Sequence, residues 1–175
     1  MIKKPIYIGI AIGLGAIAMS AIIYRISSNK KIDTSIFDSP DKPGSGECMD
    51  KVFIKRYAEM IKYIKKHYPY KYALIMSLWN VNSGVRSLTH NKKVGGVSNS
   101  AHITCYAADL KAPFQWMRDI IVEAAVKVGF TRIGIGKTFV HLDSDPSKKQ
   151  YATWGYPVGK TAPPYNPFIK FQNVA

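Results

Sequence analysis

Two imidazoles and one carboxylate are the residues of this chain best suited to chemistry. His102 is followed seven residues later by Asp109, and His141 lies on a second apolar stretch, Phe139 to Leu142. Catalytic zinc sites take three protein ligands of these types and leave the fourth position open. An ion held in that way turns water into a nucleophile near neutral pH. Asp109 follows Ala107 and Ala108, and a buried carboxylate is costly unless it is paired, hydrogen-bonded or on a metal. Strand alternation puts Phe139, His141 and Asp143 on one face, so polar groups enter an otherwise apolar segment. Either histidine alone reads more simply as a hydrogen-bonded side chain. It is the order and setting of the three that point to metal-dependent hydrolysis. His67, at the end of a basic helix, and His90, in a loop, are poorer candidates.

A second constellation is Ser83, Gly84 and Arg86. The glycine permits a tight turn, and a guanidinium thrown from it can clamp a carboxylate or stabilise a developing oxyanion. A surface salt bridge explains Arg86 equally well on spacing alone.

The ordered set of Ser83-Gly-x-Arg86, His90 with Val94 to Val97, Ser100-x-His102, Ala107-x-Asp109 and Phe139-Val-His141-Leu-Asp143 resembles the zinc D-alanyl-D-alanine carboxypeptidase family. Phage L-alanyl-D-glutamate endopeptidases and the hedgehog domain are among its relatives. The similarity covers about residues 50 to 155. It implies an α+β domain in which a small antiparallel sheet with flanking helices carries zinc, and hydrolysis of amide bonds in peptidoglycan peptides. It implies His102, Asp109 and His141 as metal ligands and Arg86 as the catalytic arginine. Ser100 and Ser83 are then substrate-binding or supporting residues. Two departures stand out. The acid that many members carry three residues before the last histidine is Thr138 here, and Asp143 is the nearest replacement for that base. Cys105 occupies a position usually held by glycine, where it would narrow the site or add a fourth ligand. A fourth protein ligand would make the site structural rather than catalytic.

These residues need elements to hold them. Phe53, Ile54, Tyr57, Ile61 and Ile64 recur at helical spacing, which predicts a helix over Met49–His67, ended by Pro69. Tyr72–Trp79 is a continuous apolar run and reads as a buried strand. Leu88–Ser100, with Gly95 and Gly96, reads as loop. Tyr106–Leu110 is a candidate strand, and Pro113 opens a second helix that Gly129 closes. Arg132–Ile135 and Thr138–Leu142 read as two strands joined by a turn at Gly136-Lys137. From Gly155 on, prolines and aromatics predict an irregular tail.

Pro5–Tyr24 is uncharged and long enough to span a bilayer, with lysines before it and Arg25, Lys30 and Lys31 after it. The expected plan is a membrane anchor over residues 1–28, a linker over 29–48, a peptidase-like domain over 49–155 and a tail over 156–175. A cleaved signal peptide is the alternative for the first segment. Flanking charges nearly tie, so the orientation of the span stays open. Gly9 and Gly13 form a GxxxG spacing that can pair two helices, a route to self-association. The expected location is a membrane, single-pass, with the domain facing the periplasm or cell exterior, or else a phage virion membrane.

The net charge of +14 favours anionic partners such as cell-wall polymers or lipid. No basic run of five and no nucleic-acid-binding signature occurs, so nucleic acid is not expected as a partner. Cys48 and Cys105 fit neither a disulfide scaffold nor a cysteine zinc site. Whether they pair depends on Cα separation, and both states stay open. The expected function is a membrane-anchored zinc peptidase of peptidoglycan, in wall remodelling or in phage lysis or entry. The alternative is a wall-tethering or virion membrane protein of the same fold that keeps zinc and has lost turnover.

Overall fold

The computed structural model describes residues 32–171. From Ile32 the chain belongs to one compact unit. Helix α1 spans Lys51–His67, where the Asp50 carboxylate accepts from the Phe53 amide at 2.8 Å and so satisfies one of the free donors of the first turn. Lys65, Lys66 and His67 close it and complement its dipole. Phe53, Tyr57, Met60, Ile61 and Ile64 form its buried stripe.

The strand expected over Tyr72–Trp79 is a helix, α2, Pro69–Leu78. Pro69 occupies its first turn, where a missing N–H costs nothing, so this proline begins an element as well as ending one. A run apolar on every side carries no periodicity that could separate strand from helix. Strand β1, Val81–Ser83, follows. The expected loop then contains a short helix, α3, Leu88–Lys93, capped by the Ser87 hydroxyl accepting from the His90 amide at 2.9 Å.

Strand β2 is Ala107–Lys111, helix α4 is Gln115–Lys127, and strands β3 and β4 are Arg132–Ile135 and Phe139–Asp143. Gly129 stands at φ +92, as a helix-ending glycine should. Glu123 on α4 accepts from Tyr63 and Tyr68, at 2.9 and 2.6 Å, which ties α4 to α1.

The sheet has five strands in the order β1-β2-β4-β3-β5, where β5 is Ala152–Gly155. Its first four strands pair antiparallel as expected, but β5 joins β3 in parallel, so the sheet is mixed. The tail is therefore not wholly irregular: β5 enters the sheet, and helix α5, Pro167–Lys170, follows.

The expected linker is also folded from residue 32 onward. Two 3-10 turns, Thr34–Phe37 and Ser45–Cys48, lie there. Phe37 is fully buried, edge-on to Phe53 and Tyr57 at 5.8 and 5.3 Å. Its burial places the segment in the core, which the polar composition around it conceals. Among the described residues no helix is long and apolar enough to cross a membrane. The span expected over residues 5–24, with Gly9 and Gly13, lies outside them.

Candidate metal centre

His102 reaches the site from the loop before β2, Asp109 from β2 itself and His141 from the middle of β4. Asp109 and His141 are cross-strand partners. Their same-face side chains meet directly, and the Asp109 Oδ1 lies 2.8 Å from His141 Nδ1. His102 Nε2 lies 3.4 Å from the other oxygen, Oδ2. One ligand atom from each of the three residues falls within 4.8 Å of the others. These are two imidazole nitrogens and a carboxylate oxygen converging from separate elements, a donor set that fits Zn2+ with one position left open.

The orientation of His102 is fixed from behind. Its Nδ1 donates to the Gly84 carbonyl at 2.6 Å, so Nε2 presents a lone pair to the site. Gly84 is held in turn by the folded N-terminal segment. Val85 N–H donates to the Phe37 carbonyl at 2.8 Å, and a Cβ on Gly84 would stand 2.5 Å from the Phe37 Cα. The Arg86 amide donates to the His102 carbonyl at 3.0 Å and closes this loop pair.

Arg86 enters from the turn after β1. Its Nη2 donates to Asp109 Oδ2 at 2.9 Å, and its Nε donates to the Ser83 hydroxyl at 2.8 Å. Ser83 therefore steadies Arg86. Ser100 is buried and its hydroxyl accepts from the His102 amide at 3.3 Å, so both serines contact the residues that build the site. His67 lies away from it on the end of α1, exposed and stacked on Tyr63 at 4.1 Å.

Burial alone would raise the Asp109 carboxyl, but the imidazoles of His102 and His141 beside it outweigh that and hold Asp109 well below the usual range. Burial lowers His102 against the pull of Asp109 and leaves it neutral. Burial also works against a charged His141, yet hydrogen bonds to Asp109 and Asp143 prevail and raise it.

A family-wide sequence profile, Peptidase M15, matches residues 29–143. The chain belongs to the peptidase M15 family. It is also 49% identical over 53 residues to the zinc D-Ala-D-Ala carboxypeptidase of Streptomyces albus G, a stretch covering 30% of this chain and 20% of that protein. The match thus spans about a fifth of that relative's length.

In this M15 chain Asp143 is held by a side chain and a backbone amide. Its Oδ2 accepts from Arg132 Nε at 2.8 Å and its Oδ1 from the Asp145 amide at 2.7 Å. The side that faces His141 meets Nε2, at 4.0 Å, whereas the nitrogen directed at Asp109 is Nδ1. Burial would raise this carboxyl too, but His141, Arg132 and the Asp145 amide hold it low. Thr138 is exposed at the tip of the β3–β4 turn.

Cys105 is not a fourth ligand, because it forms a disulfide with Cys48 across a Cα separation of 5.8 Å. Its φ of +66 lies in the left-handed region that glycine favours, which accounts for glycine being expected there.

Three residues beyond the expected set also shape the site. Asp109, His141, Gly134 and Trp154 lie in one row across β2, β4, β3 and β5. The Trp154 ring sits 5.3 Å from His141 and the Tyr156 ring 6.4 Å from it. Arg132 lies over Trp154 at 5.4 Å while it holds Asp143. The signal for these aromatics was present in the Ala152–Tyr156 run, but prolines downstream masked it.

Proposed function

We propose that this chain is a zinc peptidase that hydrolyses amide bonds in peptidoglycan peptides, with residues 5–24 anchoring it in a membrane and the domain facing the wall. The observation that carries the reading is the convergence of His102, Asp109 and His141 beside Arg86, in a chain of the M15 family. Zinc, when bound, supplies a Lewis acid and acidifies a water molecule. Each protein residue has its own task. His102 and His141 offer Nε2 and Nδ1, and Asp109 offers one oxygen while Arg86 holds the other. Ser83 fixes Arg86 so that its remaining N–H groups face a peptide carboxylate or carbonyl. Asp143, fixed by Arg132, orients the imidazole of His141 from its Nε2 side and so would set how Nδ1 meets a bound ion.

The test is release of peptides from purified peptidoglycan by the zinc-loaded protein, followed by mass spectrometry, with and without a chelator. Chelator-sensitive release is expected, and the masses name the bond cut. No release at any zinc level rejects the peptidase reading. Vesicle flotation of the full chain against a chain lacking residues 1–28 tests the anchor, and only the full chain should float.

A second reading is a zinc-stabilised wall-binding or virion membrane module without turnover. The exposed Thr138 and the engagement of Asp143 by Arg132 favour it. Retention on peptidoglycan without cleavage would select it.

A further inference from the structure

The family match ends at Asp143, yet the sheet and the wall of the metal site continue beyond it. β5 brings Trp154 into the row that runs Asp109, His141, Gly134 and Trp154. The third member of this row has no side chain. A Cβ on Gly134 would stand 2.6 Å from Trp154 Nε1 and 2.8 Å from Tyr156 Cε2. Two aromatic side chains therefore cross the outer strand pair through the space that glycine leaves and end beside a candidate ligand. The Tyr156 ring lies 4.7 Å from Phe139 and 6.4 Å from His141. Asp109, Arg86 and Asp143 all lie within electrostatic reach of the Tyr156 hydroxyl. Tyr156 is only half-buried, so a ligand can approach it.

We propose that Tyr156 contacts substrate at the metal site, its phenol donating a hydrogen bond to the carbonyl oxygen of the peptide bond to be cut, with Trp154 as the wall that holds it. This rests on the zinc peptidase reading for the identity of the substrate. A phenol suits the task because it is protonated at neutral pH and rigid beyond two torsions. It would act together with Arg86, which approaches the same centre from the turn after β1.

The variant is Tyr156→Phe in the full-length, zinc-loaded protein, which keeps the ring and removes only the hydroxyl. Three quantities are measured: zinc affinity by chelator competition, kcat and KM on peptidoglycan peptides, and affinity for acetohydroxamate, a small carbonyl ligand of zinc, by calorimetry. The expectation is zinc affinity within twofold of wild type and kcat lower by about a hundredfold with KM little changed. Hydroxamate binding should weaken by roughly tenfold, the worth of one hydrogen bond. Equal hydroxamate affinity in both proteins overturns the assignment. A parallel loss of zinc affinity also overturns it, since Tyr156 would then support His141 and not contact the ligand. If wild type releases no peptide while hydroxamate still distinguishes the two proteins, the peptidase reading fails and the hydrogen-bonding role of Tyr156 stands.

Discussion

At the scale of single residues, the protonation of the metal-free site decides how zinc binding depends on pH. The neighbouring Asp109 and Asp143 raise His141 above its ordinary value, and burial holds His102 down. Near neutral pH, then, a proton competes for His141 Nδ1 while His102 is already in its ligand form. Zinc must displace that proton, so affinity should rise with pH by about tenfold per unit until His141 is deprotonated, and then level off. Dye-competition titrations across neutral pH check this, and calorimetry in two buffers should count about one released proton per ion. Asp143→Asn keeps the shape of the side chain and removes its charge. Zinc affinity should fall by about 10–100-fold, as for other outer partners of a ligating histidine. A base without a positioning role would instead lose turnover at unchanged zinc affinity.

Elements explain how residues so distant in sequence meet, and which of them the sequence disclosed. His102, Asp109 and His141 were singled out by residue type, order and setting, whereas Arg86 stood out only through the family resemblance, since spacing alone fitted a salt bridge equally well. α1, α4 and the β3–β4 hairpin were legible through periodicity and turn glycines. α2 was not, because a short run apolar on every face is compatible with either regular structure. The role of residues 32–48 was hidden by polar composition, although one aromatic, Phe37, sets the backbone of Gly84 and through it the tautomer of His102. Phe37→Ala should cost about 3–5 kcal/mol by opening the core, and should also weaken zinc binding. Denaturant titration and chelator competition on one variant measure both effects. β5 was missed because parallel pairing is a long-range matter with no local signature. Gly134→Ala tests that element. The added methyl must push back Trp154 and Tyr156, with a loss of about 1–3 kcal/mol and an altered near-ultraviolet dichroism signal.

For the whole molecule, one covalent link joins the N-terminal segment to the loop that carries His102. Cys48 and Cys105 are 57 residues apart in sequence, and closing such a loop removes much freedom from the unfolded chain. Cys48→Ser with Cys105→Ser should lower stability by about 2–5 kcal/mol, read as a fall in the melting temperature. The same bond suits a domain working in an oxidising compartment. The charge of +14 has a separate consequence, since attraction to an anionic wall is screened by salt. Retention on peptidoglycan should weaken as ionic strength rises.

The parallel seat of β5 on β3 also bears on how short this protein can be made. A polypeptide stopped at residue 143, where the match to the family profile stops, would retain all three candidate zinc ligands and lose the outermost strand. Arg132 to Ile135 would then offer its bare amides and carbonyls to any passing chain, an open invitation to strand-to-strand stacking. Such a fragment should be recovered as aggregate, while one carried through α5 should stay dispersed.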